Sequence, residues 1–246
     1  MKIFDIIVSK IVQFFLRIFN KKPKVYGIEN IDQSTPAIFM SNHEHIYGPV
    51  ATTIYFPAKT RQWANSMMTE KKACRKYLAD AFLIPMAKFK PCIARLIGNI
   101  MGGLVSAALR GANTIVSYWD PARAPLSFKN GLDAINNGDN QTIFAQGRYS
   151  PQADNFQFMQ GYLTLCKMSN KQFGFTPKLY PVAINKDNLT CAIGKPTSLD
   201  MSLSYKAEKA RINQYLKDRV MLGYIDPQKM ASPNDSNITN ENSFAS

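Results

Sequence analysis

The sequence predicts a single α/β domain, a mostly parallel central sheet with helices on both faces, preceded by an amphipathic helix. Three observations carry this. From residue 114 onward, short apolar runs bounded by turn residues alternate with helix-period segments, the pattern of a parallel sheet covered on both sides. A chain of 246 residues, 46% of them hydrophobic, is long enough for one sizeable core and short for two. The first twenty residues separate polar from apolar side chains around a helical circumference.

Taken in order, residues 3–19 are interrupted by Asp5, Lys10 and Arg17, which argues against a membrane span, and no small-residue cleavage site follows them as in a signal peptide. At about 100° per residue, Asp5, Ser9, Lys10, Gln13, Arg17 and Asn20 fall within an arc of roughly 140°, intruded on only by Ile6 and Leu16. The remaining circumference is Ile, Val, Phe and Leu. This suits a helix lying in a membrane interface, and the alternative is packing on the domain's own core. Residues 1–22 are therefore expected to form a membrane-interface helix, 23–225 the domain, and 226–246 a disordered polar tail, 231–246 being almost free of apolar residues.

Ala37 to Met40 reads as a strand running into Ser41-Asn42-His43, and Gly48-Pro49 opens a helix over Val50 to Tyr55. Residues 59–90 mix eight basic residues with Trp63, Met67, Met68, Tyr77, Phe82 and Phe89, a face for lipid headgroups or an acidic carrier, or a solvated helix face. Residues 92–109 are mostly apolar but carry Arg95 and Asn99, so a buried or membrane-apposed helix is expected rather than a span. Strands are expected at 114–118, 141–145, 179–184 and 189–193. Helices are expected at 123–136, with Leu126, Phe128, Leu132 and Ile135 inward, at 156–169 and at 203–222.

Both histidines, His43 and His45, lie after the first domain strand. In open α/β sheets ligands bind at the carboxyl ends of strands, so an imidazole there is placed for general-base work near neutral pH; a pair of solvated loop histidines is the alternative. Thirty Lys and Arg against seventeen Asp and Glu give +13, which favours anionic partners. The charge is all that supports a nucleic-acid-binding reading, since no helix-turn-helix, RNP-like or zinc-finger pattern accompanies it. Cys74, Cys92, Cys166 and Cys191 are widely spaced, suggesting neither a disulfide framework nor a zinc site, but reduced, mostly buried thiols.

The series Gly27-Ile28-Glu29-Asn30, then Phe39-Met40-Ser41-Asn42-His43, resembles the entry to the PlsC-like glycerolipid (lysophospholipid) acyltransferase domain, with its Asn-His strand end and His-x-x-x-x-Asp motif. His43 matches the histidine, and the aspartate position is Gly48. Phe144-Ala145-Gln146-Gly147-Arg148-Tyr149-Ser150 lines up with the family's Phe-Pro-Glu-Gly-Thr-Arg-Ser, Tyr180-Pro181-Val182-Ala183-Ile184 with its Val-Pro-Val-Ala-Ile strand, and Gly194-Lys195-Pro196 with its Gly-x-Pro close. The resemblance runs from about Lys24 to Leu199, as a divergent member.

It implies transfer of a fatty acyl group from acyl-CoA or acyl carrier protein, as co-substrate, to a hydroxyl of a glycerolipid-like acceptor, with no bound cofactor or metal. His43 would be the base, oriented by Glu44 or by an acid such as Asp120 or Asp154. Amides near Gly48 or Gly147 would stabilise the oxyanion. Asn42, Gln146, Gly147, Arg148 and Arg123 would bind substrate, the two arginines standing in for the family's phosphate clamp. The implied partners are membrane phospholipids, the lipid acceptor and acyl carrier protein, with no nucleic acid, at the cytoplasmic face of a membrane as a peripheral or monotopic protein. The other reading is a lipid-binding protein on this fold that has lost catalysis.

Overall fold

The computed structural model describes residues 2–84, 88–144 and 161–232. Helix α1 (Ile3–Phe19) leads to strand β1 (Lys24–Tyr26), then β2 (Ala37–Ser41), α2 (Tyr47–Ile54), β3 (Thr60–Asn65), α3 (Ser66–Thr69), α4 (Lys71–Leu78) and α5 (Pro91–Gly111). After these come β4 (Ile115–Ser117), α6 (Ala124–Asn136), β5 (Asn140–Phe144), α7 (Gly161–Phe173), β6 (Lys178–Asn185), β7 (Thr190–Ile193), α8 (Tyr205–Ile225) and α9 (Pro227–Ala231). The strands form one seven-stranded sheet in the order β1-β7-β6-β2-β5-β3-β4. Its pairings are parallel except β6 with β7.

β2 lies at the centre of the sheet, paired with β5 on one side and β6 on the other. Its continuous apolar run follows from burial on both faces. Ile38 and Met40 join Leu132, Leu163, Leu165, Ile212 and Leu216 beneath α6, α7 and α8. Ala37 and Phe39 join Tyr47, Ala51, Tyr180 and Val182 beneath α2. Phe39 stacks on Tyr180 at 5.1 Å and meets Phe56 edge-on at 4.9 Å.

The expected elements are present among the described residues, with three differences; 156–160 of the helix expected at 156–169 and Ala145 of the strand expected at 141–145 lie outside them. Residues 60–65 form a strand, not part of a basic helical face; all six are half-buried, pairing with β5 at one end and β4 at the other. Leu126 is exposed, because α6 turns Leu132 and Ile135 to the sheet and leaves its first turn at the rim. The chain stays ordered past residue 226: α9 buries Met230 completely, its side chain lying against Gly194 and Gly223, and 233–246 lie outside the described residues.

Helix α1 packs on the domain without using its apolar side. Its polar side is the one turned to the protein: Asp5 and Ser9 are buried with Val8, while Ile7, Phe14, Ile18 and Phe19 are exposed. A bidentate ion pair from Arg110 at the end of α5 to Asp5 (2.9 and 3.0 Å) makes this possible. The hydrogen bonds from Arg110 hold the Asp5 carboxyl below its ordinary pKa, outweighing the opposite push of burial. A Cβ on Gly111 would fall 1.9 Å from the Asp5 carbonyl oxygen, so the two helices cross at backbone contact. Further along, Arg17 donates to the Ile54 carbonyl (3.4 Å), Tyr55 donates to the Asn20 carbonyl (2.7 Å), and Tyr47 donates to that of Lys21 (3.1 Å), tying the end of α1 to α2.

Candidate active site

At the carboxyl end of β2 the chain leaves the sheet through Asn42, which is buried and bridges to β6: its Nδ2 donates to the Ile184 carbonyl (2.8 Å) and its Oδ1 accepts from the Ile184 N–H (2.7 Å). The amide is thus committed to the fold, in place of the expected substrate contact. Its β-strand-like pairing with Ile184 sets where His43 leaves the sheet.

Glu44 and His45 follow with φ of +40° and +53°, the left-handed region that side chains with a Cβ rarely adopt. Two such residues in succession double the loop back, and the His45 carbonyl accepts a hydrogen bond from His43 Nδ1 at 2.5 Å. A carbonyl oxygen can only accept, so Nδ1 carries the ring proton and the basic lone pair lies on Nε2. That is the tautomer a general base needs. Among the described residues, the partner of Nδ1 is a backbone carbonyl, supplied two residues on.

Glu44, the acid expected to orient the imidazole, turns the other way. Its buried carboxylate accepts from Tyr224 Oη of α8 and from the Lys186 N–H, both at 3.4 Å. It anchors the loop to β6 and α8. Asp120 is likewise engaged elsewhere, accepting from Arg123 Nε at 2.8 Å. Asp154 lies outside the described residues.

Gly48, where the motif that the sequence resembles has aspartate, is held to glycine by lack of space. Its φ is helical, so no left-handed conformation calls for glycine; the constraint is steric. A Cβ there would sit 2.3 Å from the His43 carbonyl oxygen and 2.9 Å from its carbon. The start of α2 is pressed against the backbone of the residue that carries the imidazole. The Gly48 N–H, expected as an oxyanion donor, points to the Glu44 carbonyl at 3.4 Å.

From the other side, Phe144 at the end of β5 is in register with Ser41, and its ring lies 5.4 Å from the His43 ring at 55°. β5 therefore ends next to His43; Gln146, Gly147 and Arg148 lie outside the described residues. Arg123 caps α6 beyond β4. It pairs with Asp120 and with Glu70 (3.1 Å) and lies over the Tyr118 ring at 4.8 Å. Its charge is already matched by two carboxylates, which argues against its clamping a phosphate. His45 is exposed and contributes its backbone. Sequence reasoning missed the His45 carbonyl, because any residue type supplies that group. It also missed Tyr224, which reaches Glu44 from 180 residues away. The described residues contain no cluster of three or more His, Cys, Asp or Glu fit for a metal ion.

The fold is thus a single α/β domain with a mostly parallel sheet behind an N-terminal helix, and it carries a histidine at the carboxyl end of its central strand. The crystal structure of the 1-acyl-sn-glycerophosphate (LPA) acyltransferase PlsC from Thermotoga maritima is similar to this chain with a TM-score of 0.51. The match covers 90% of this chain and 77% of that one at 16% sequence identity, a likeness of fold. No protein-family model matches the sequence. No curated protein matches it.

Proposed function

We propose that the protein is an O-acyltransferase that moves a fatty acyl group from acyl-CoA or acyl carrier protein to a hydroxyl of a glycerolipid or lysophospholipid-like acceptor, at the cytoplasmic face of a membrane. The observation that carries this reading is the hydrogen bond from His43 Nδ1 to the His45 carbonyl, which puts the basic lone pair on Nε2 at the carboxyl end of β2. Nε2 would take the acceptor's hydroxyl proton as that oxygen attacks the thioester carbonyl. A carbon–oxygen bond forms, the carbon–sulfur bond breaks, and the imidazolium returns the proton to the departing thiolate. A neutral carbonyl stabilises that imidazolium less than a carboxylate would.

The Arg123 ion pairs support an acceptor that does not depend on this arginine for a phosphate. A second reading, a lipid-binding protein without catalysis, is favoured by one observation: Gly48 occupies the motif's aspartate position, and its surroundings have no space for a side chain. Acyl transfer from labelled acyl-CoA and acyl carrier protein to a panel of lyso-lipids separates the two. His43→Ala is expected to lower turnover by about two to four orders of magnitude, and His45→Ala far less, since its carbonyl remains. Equal rates for wild type and His43→Ala would remove His43 as the base, and no transfer with any pair would leave the lipid-binding reading.

A further inference from the structure

Helix α5 is built inside out. Toward the domain it turns Ala94, Gly98, Gly102 and Ser106, and across this stripe α4 approaches so closely that a Cβ on Gly102 would meet the Arg75 backbone at 2.6 Å. Away from the domain it turns Ile93, Leu96, Ile100 and Leu104, with Leu96 and Ile100 more than 60% exposed. By length and composition alone α5 could cross a membrane. Yet it carries Arg95 and Asn99, and packs against α1, α3 and α4. The packing and the two polar residues favour a helix lying along the domain over one free to span.

The outward ridge continues α1. Gly111, on which α1 crosses, falls at heptad spacing from Leu104, four residues from Leu104 to Ile100 and seven more to Ile93, all on one side of α5. The side that α1 covers at one end runs on uncovered toward the other. α1 then adds its own exposed side, with Phe4, Ile7, Ile11, Phe14, Phe15 and Ile18.

We infer that α1 and α5 together form one plate that docks on the surface of an anionic lipid bilayer, with α5 lying in the plane of the interface. Charge argues for this occupant over a second copy of the chain. Lys71, Lys72 and Lys76 of α4 are exposed, as are Lys88 and Lys90 just before α5, and the one acid of α1, Asp5, is already paired with Arg110. Two cationic surfaces repel each other, whereas each such residue adds attraction to an anionic leaflet. The inference rests on the membrane-surface part of the proposed function and requires no catalysis.

The test is flotation of the full chain with phosphatidylcholine vesicles, with and without phosphatidylglycerol. Leu96→Glu and Ile100→Glu are each expected to lower partitioning by roughly tenfold or more with α1 intact, and phosphatidylglycerol is expected to raise it. In a Cys92→Ser background, Ile100→Cys carries an environment-sensitive dye, since Cys74, Cys166 and Cys191 are buried. Its emission is expected to shift to the blue on adding vesicles and to be quenched by shallow spin-labelled lipids. Wild-type partitioning by both glutamate variants would show that α1 docks alone. A change in sedimentation of those variants without lipid would show a protein interface instead. Either result overturns the two-helix plate. Acyl transfer to a detergent-dispersed acceptor, measured on the same variants, reads the proposed function separately and is expected to be unchanged.

Discussion

An aspartate in place of Gly48, as in the PlsC-like motif that the sequence resembles, is expected to damage this protein. In Gly48→Asp the new Cβ would lie 2.3 Å from the His43 carbonyl oxygen, where a carbon–oxygen contact relaxes at about 3.3 Å, so the loop and the start of α2 must separate by roughly 1 Å. Overpacking of that kind costs about 1–3 kcal/mol, a fall in Tm of roughly 2–12 °C for a chain of this size. The rate suffers more, because the displaced atoms belong to His43 itself. A misplacement of about 1 Å at a reacting group can cost on the order of 100-fold. Gly48→Ala separates shape from charge: if the steric account holds, alanine and aspartate behave alike in both thermal unfolding and acyl transfer. An aspartate variant with unchanged Tm and equal or higher turnover would refute it, and would mean that the site accepts the motif's carboxylate after all.

Asn42→Ala is expected to destabilise the protein by about 2–5 kcal/mol in urea, because it strips partners from both the N–H and the carbonyl of buried Ile184; unchanged stability with a raised KM would instead restore Asn42 to substrate binding. Asp5→Asn leaves Arg110, itself partly exposed, without its counter-charge, and is expected to cost about 2 kcal/mol at neutral pH, between the values for surface and buried pairs. Because folding lowers the Asp5 pKa, the wild-type advantage is present above the unfolded value of about 3.9 and fades as pH falls through the lower folded one. Urea unfolding at pH 7 and pH 3 reads this, and a gap that widens in acid would contradict the ion pair.

The strand-helix alternation after residue 114 made the parallel sheet legible because strands buried on both faces need continuous apolar runs and their connections need helices. The loop after Met40 marked the candidate site for a related reason, since a parallel sheet presents its ligands at strand ends. β3 escaped notice because a half-buried strand near the sheet's edge, Thr-Arg-Gln-Trp-Ala-Asn, needs neither an apolar run nor a clean alternation. Glu44 looked like the acid beside His43 because sequence adjacency says nothing of direction. Two residues with positive φ send its carboxylate to Tyr224 and bring a backbone carbonyl to the imidazole instead.

Periodicity alone divided α1 into a polar and an apolar side but was silent on which would face inward. Hydrophobic burial by itself would have turned the phenylalanines to the core. A buried charge is tolerable only with its partner in place, and Arg110 stands 105 residues downstream of Asp5, so no local pattern could announce it. Local chemistry, repeated at the right period, was enough to determine most of the elements and the end of the sheet at which the candidate site lies. Which groups meet there, and which surface is left facing outward, depended on contacts between distant residues that only the folded chain brings within reach.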